Sequence, residues 1–216
     1  QGVGRGSRVV GSDIGPRDTL EQVVEKISFA DARAVEETAA QLNVDTLRGV
    51  VDALVDARRI DIYGVSASAF VAFDFQQKLH RIGRVSYAWS DTHIALTSAA
   101  LLGSDDVAIG ISHTGVTTDT IDALAQARRQ GATTVALTNF PRSPIADVAD
   151  LVLTTAARET TFRSGATASR LAQLTVVDCV FVGVAQRTYD ATHRALAATR
   201  DAVRGRRVPR ERGQHR

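Results

Sequence analysis

Ser112, His113, Thr114, Gly115, Thr117, Thr118 and Asp119 fall within eight residues, directly after the apolar run Val107-Ala108-Ile109-Gly110-Ile111 and before a stretch with helical periodicity. Hydroxyls and backbone N–H groups crowded into one strand-to-helix turn suit a phosphate monoester held without a metal or other cofactor. Gly115 lets the chain come close to such a ligand, the free N–H groups of the helix start point at it, and the helix dipole favours its charge of about −1.5 to −2. Gly64-Val65-Ser66-Ala67-Ser68 makes a second small-residue turn after Ile60-Asp61-Ile62-Tyr63, so Ser66 and Ser68 are expected to close over the ligand from the other side. Thr117 or Thr118 is also an ordinary N-cap, and Asp119 suits a first helical turn; capping and anion binding are compatible there. The turn lacks the Lys and the spacing of a P-loop, and neither turn contains Gly-x-Gly-x-x-Gly. Nucleoside triphosphates and dinucleotides are therefore disfavoured, and a small phosphorylated molecule remains.

Such turns need rigid strands behind them. Short β-rich runs at 60–64, 85–88, 107–111, 134–138 and 151–153 alternate with helical stretches around 70–82, 92–102, 118–129 and, shorter, 144–148. That alternation predicts an α/β fold with a parallel sheet covered on both faces. Five strands with right-handed crossovers favour the doubly wound order 2-1-3-4-5, whose topological switch point lies between strands 1 and 3. The two hydroxyl-rich turns follow those same strands, and ligands of such sheets bind beyond the carboxyl ends at the switch point. Ahead of the sheet, helical spacing predicts three helices, over Leu20 to Ile27, Ala34 to Leu42 and Leu47 to Val55. Behind it, 167–200 is expected to close the domain as one helix.

The chain's 216 residues suffice for one domain with a real core. Residues 1–17, rich in Gly and Arg, read as a disordered leader or linker, 18–200 as the domain, and 201–216 as a basic disordered tail. Seven Arg between 200 and 216 account for the formal charge of +2, and the body is mildly acidic. A short Arg-rich end of this kind is read as solvated chain. Cys179 is the only cysteine, which excludes an internal disulfide framework or a cysteine-based metal site, and its apolar neighbours predict a buried, inert thiol. No apolar run reaches about 18 residues and no secretory pattern opens the chain, so the expectation is a cytoplasmic protein without a membrane partner. The sequence contains no Met, and Gln1 cannot begin a complete translation product, which suggests a piece of something longer.

Several segments together resemble a sugar isomerase (SIS) domain, and within that group the effector-binding domain of RpiR-type bacterial transcription regulators. They are the turn at 60–68, Ser90-Asp91-Thr92-His93, Ile111-Ser112-His113-Thr114-Gly115, Thr138-Asn139, Phe162-Arg163-Ser164 and Ser169-Arg170-Leu171-Ala172-Gln173-Leu174. The likeness covers about 18–200. It implies a flavodoxin-like sheet, a homodimer or homotetramer, and a phosphosugar whose phosphate is held by Ser66, Ser68, Ser112, Thr114, Gly115 and Thr117. The family usually has Ser, Tyr or another small residue where this chain has His113. RpiR-type regulators also carry an N-terminal helix-turn-helix domain, absent here, through which any DNA contact would run.

Other candidates follow from that likeness. Glu159 lies after the last strand, where isomerases and synthases with this domain place a carboxylate that moves protons; in RpiR-type regulators it is expected to bind sugar hydroxyls instead. His93 is a second, weaker candidate for the same cleft, equally suited to packing or capping. His113 either assists the phosphate as a cation or is a solvent-facing loop residue. Arg163 and Arg170 suit pairing with phosphate or with Glu159, and Asp178, in the apolar part of the last helix, needs a partner. The reading is a phosphosugar-sensing domain that modulates DNA binding and is not an enzyme. The alternative is an aldose–ketose phosphate isomerase with Glu159 as base and His93 beside it.

Overall fold

The computed structural model describes residues 13–159 and 168–206. Two helices lead in, α1 (Leu20–Gln41) and α2 (Val44–Asp56), followed by β1 (Arg59–Tyr63), α3 (Ala67–Arg81), β2 (Ser86–Trp89) and α4 (Thr92–Ala99). The order continues with β3 (Asp106–Ile111), α5 (Thr118–Arg129), β4 (Thr133–Thr138), α6 (Pro144–Asp147), β5 (Leu151–Thr154), α7 (Ala168–Arg187) and α8 (Tyr189–Ala202). The five strands are parallel in the order β2-β1-β3-β4-β5, so the predicted doubly wound topology holds and the switch point lies between β1 and β3.

The two-residue period of the strands divides the core. Ile60, Ile62, Ile109, Ile111, Val135, Leu137 and Leu153 point to one face and pack under α2, α3 and α7. Tyr63, Ala108 and Ala136 point to the other, where small residues admit α4, α5 and the short α6. β3 is buried at all six positions, as befits a central parallel strand covered on both sides.

On that second face Asp61 is wholly buried and fully engaged. Arg59 donates to its two carboxylate oxygens at 2.8 and 3.0 Å, the Ser98 hydroxyl from α4 at 2.6 Å and the Trp89 indole from β2 at 2.9 Å. Its charge adds to the effect of burial in pushing the Tyr63 phenol well above its ordinary range. One carboxylate thus ties β1, β2 and α4 together.

Three expectations need correction. The first two predicted helices are one, because 28–33 contains no Gly or Pro and Ala30 fills the period between Ile27 and Ala34. The closing helix is instead two, broken at Thr188 (φ −113°, ψ 37°), whose hydroxyl donates to the Val184 carbonyl at 2.8 Å. Cys179 is exposed, because the buried stripe of α7 runs through Ser169, Ala172, Gln173, Val176, Val177, Val180 and Val184 and leaves 178 and 179 outside. Asp178, beside it, has the partner its sequence position demanded: Lys78 of α3, which also meets Asp74 at 2.7 Å.

Candidate functional site

The turn after β3 folds around its own hydroxyls. Ser112, 2% exposed, accepts the Gly115 N–H on Oγ at 3.1 Å and lies 3.1 Å from the Thr117 hydroxyl, while Thr114 Oγ1 accepts the Val116 N–H at 3.4 Å. Thr117 holds the N-cap position of α5 but makes no side-chain capping bond, so its hydroxyl belongs to the turn rather than to the helix. Gly115 is at φ +70°, and an added Cβ would come within 2.1 Å of Ser143 Oγ, so close approach of the 143 segment is what demands glycine. Its carbonyl accepts the Ile145 N–H at 3.0 Å, clamping the turn to α6.

The turn after β1 is strained. Ser66 sits at φ 54°, ψ −125°, a region that residues with a Cβ rarely adopt, and its side chain makes no cap bond to α3. Its exposed hydroxyl stands at the helix start with Ser68 half-buried beside it. Replacing Ser66 with Gly should relieve strain of about 1 kcal/mol and raise the melting temperature by a few degrees, measurable by scanning calorimetry. An unchanged or lower melting temperature would remove the strain argument. A small pocket lies between the turn after β1 (Tyr63 to Val65), the β2–α4 turn (Trp89 to Thr92, with Ala95) and the start of α5 (Asp119, Thr120). A larger groove, about 620 Å³ between α2 and α7, lies elsewhere and includes neither turn.

Glu159 lies on the segment that follows β5. Asn139 Oδ1, after β4, accepts the Thr155 hydroxyl at 3.1 Å and the Ala157 N–H at 2.8 Å, and Thr38 Oγ1 of α1 accepts the Ala156 N–H at 2.9 Å. The segment so fixed presents Glu159, half-buried, to the Ser169 hydroxyl, which donates to Oε1 at 2.5 Å. Ser169, Asn139 and Thr38 are thus positioning residues whose roles come from contacts between distant elements.

Of the two readings of His113, the solvent-facing one does not hold. Its ring is half-buried against Phe140, edge to face with centroids 5.9 Å apart, so it is not a solvent-facing loop residue. Burial holds its imidazole below the ordinary range even though the Glu159 charge pulls the other way. Below the ordinary imidazole range the unfolded chain takes up this proton more readily, so folded stability from this group falls as pH falls through that window. The Glu159 charge thus acts on a residue of the turn that holds Ser112 to Thr117. His93 is the exposed second residue of α4; Asp91 and Thr92 just before it line the small pocket, and His93 does not. Arg170 is exposed, and Arg163 lies outside the described residues. No group of His, Cys, Asp or Glu suited to a metal occurs among the described residues.

A parallel five-stranded sheet with a hydroxyl-lined turn at its switch point defines an α/β ligand-binding domain, and the comparisons identify which: residues 53–183 match the SIS domain, and the chain belongs to that family. Within it, the chain stands among the RpiR-type regulators. It is 41% identical over 94% of its length to an uncharacterized HTH-type transcriptional regulator of Caldanaerobacter subterraneus, covering 72% of that protein. It is 34% identical to the Escherichia coli HTH-type transcriptional regulator RpiR, covering 83% of this chain and 60% of that one. Among solved structures, the Vibrio vulnificus NanR protein complexed with ManNAc-6P superposes with a TM-score of 0.82 at 25% identity over 87% of this chain and 70% of that one. The sugar isomerase domain of an RpiR transcription factor from Sphaerobacter thermophilus gives 0.77 at 27% identity, over 83% of this chain and 99% of that one.

Proposed function

We propose that this domain senses a phosphorylated sugar and adjusts the DNA affinity of the regulator to which it belongs, without turning the sugar over. The observation that carries the reading is the convergence at one switch point of Ser112, Thr114 and Thr117 with Ser66 and Ser68, none of whose hydroxyls is spent on capping a helix. The phosphate takes the hydroxyls and N–H groups of the two turns, and Glu159 takes the sugar hydroxyls. The ligand of the Vibrio NanR structure, ManNAc-6P, makes a hexose phosphate the first class to try. Exposed Leu20 and Val24 on α1 and Phe70 and Phe73 on α3 supply apolar surface for a homodimer or homotetramer in the cytoplasm. A ligand that favours one arrangement of subunits would shift operator affinity by a coupling of about 1–3 kcal/mol.

A thermal-shift panel of sugars with and without phosphate tests this. At about 100 times Kd a ligand adds about 2.7 kcal/mol, a rise of about 5–10 °C for a domain of this size. Only phosphorylated sugars should give it. Silence across millimolar hexose and pentose phosphates would refute the proposal. Solvent deuterium entering a bound sugar phosphate in heavy water, lost in Glu159→Gln, would instead establish the isomerase.

A further inference from the structure

Beneath Glu159 the domain carries polar groups that the phosphate turns leave unused. Gln173 on α7 is 1% exposed, yet neither Nε2 nor Oε1 of its amide meets a hydrogen-bond partner among the described residues. Buried amides are almost always paired, so an amide with both ends orphaned is a strong indication of a group that pairs with something else. Helical spacing places Gln173 one turn after Ser169, which bonds Glu159, and one turn before Val176 and Val177, which share an apolar pocket with Ile111, Leu137 and Leu153. Side chains on a helix lean toward its N-terminus. The amide therefore leans toward Ser169, on the side of α7 whose next turn packs on Ile111 and Leu137, the residues at or next to the ends of β3 and β4. His113 Nδ1 is a second buried atom without a partner among the described residues, and the Glu159 charge acts on its ring.

We propose that Gln173, together with His113 Nδ1, is a specificity-determining residue that receives the hydroxyl-bearing body of the ligand. The inference rests on the phosphosugar reading above. A carboxamide offers a donor and an acceptor, as a sugar hydroxyl does, and neither carries charge. With Glu159 alongside, this end of the site admits a neutral polyol and rejects a second anionic group, so it distinguishes a sugar monophosphate from a bisphosphate. It also accounts for an amide among the buried valines and alanines of α7: its desolvation is repaid only when ligand is present.

Gln173→Met, close in shape and lacking the amide, separates this role from a structural one. Titration calorimetry with ManNAc-6P, glucose 6-phosphate and ribose 5-phosphate finds the strongest sugar ligand of the wild type, and inorganic phosphate serves as control. The Met variant should melt at or above the wild type, bind that sugar phosphate about tenfold or more weakly, and keep its affinity for inorganic phosphate. Gln173→Leu should behave alike and stands in if the Met variant does not fold. Unchanged sugar-phosphate affinity, or equal weakening of inorganic phosphate, would overturn the role of Gln173 and leave the phosphosugar reading intact. A wild type that binds none of the three sugars would instead overturn both.

Discussion

Ser112→Ala combined with Thr114→Ala should abolish sugar-phosphate binding at micromolar ligand while leaving the circular dichroism spectrum unchanged. In the proposed site each hydroxyl would donate to a charged oxygen, a bond worth about 1.5–3 kcal/mol, so losing two weakens binding by at least about a hundredfold. The Ser112 substitution also strips the Gly115 N–H of its acceptor, which lowers stability by about 1 kcal/mol, too little to unfold a domain of this size. The backbone N–H groups remain, so residual binding of inorganic phosphate is expected. Undiminished sugar-phosphate affinity in the folded double variant, measured by titration, would place the ligand elsewhere.

The second large effect concerns stability. Asp61→Ala removes the acceptor shared by Arg59, Ser98 and Trp89 and leaves the Arg59 guanidinium, which also lies 5.0 Å over the Tyr87 ring, without its carboxylate. Breaking a buried pair on one side costs about 3–5 kcal/mol. The melting temperature should fall by about 10 °C or more, with Asp61→Asn falling between because it keeps an acceptor. Chemical denaturation showing less than about 1 kcal/mol of loss in the Ala variant would mean that α4 and β2 are held to β1 by packing alone.

The strands were legible because parallel central strands are apolar on both faces, and each run lay between recognisable turns. Strand order followed from handedness, and the hydroxyl-rich turn after β3 from residue types alone. Glu159 entered only through the family likeness, since nothing local distinguishes it from a solvated loop carboxylate. What escaped was made by distance. The Thr38 bond to Ala156 spans 118 residues, and Gln173 becomes notable only once its burial without a partner is known. Cys179 was misjudged because an apolar run says nothing about which side of a helix is covered. The shelter of His113 was hidden for a related reason: Phe140, which covers it, comes from the loop after a different strand.

The hydroxyl of Thr38 fastens α1 to the segment ending at Glu159, so these two parts do not travel independently. Ala34 of that helix also packs with Ala157 of the segment in one buried cluster, so a ligand that tugs on the carboxylate would load the 22-residue helix through both a hydrogen bond and an apolar contact.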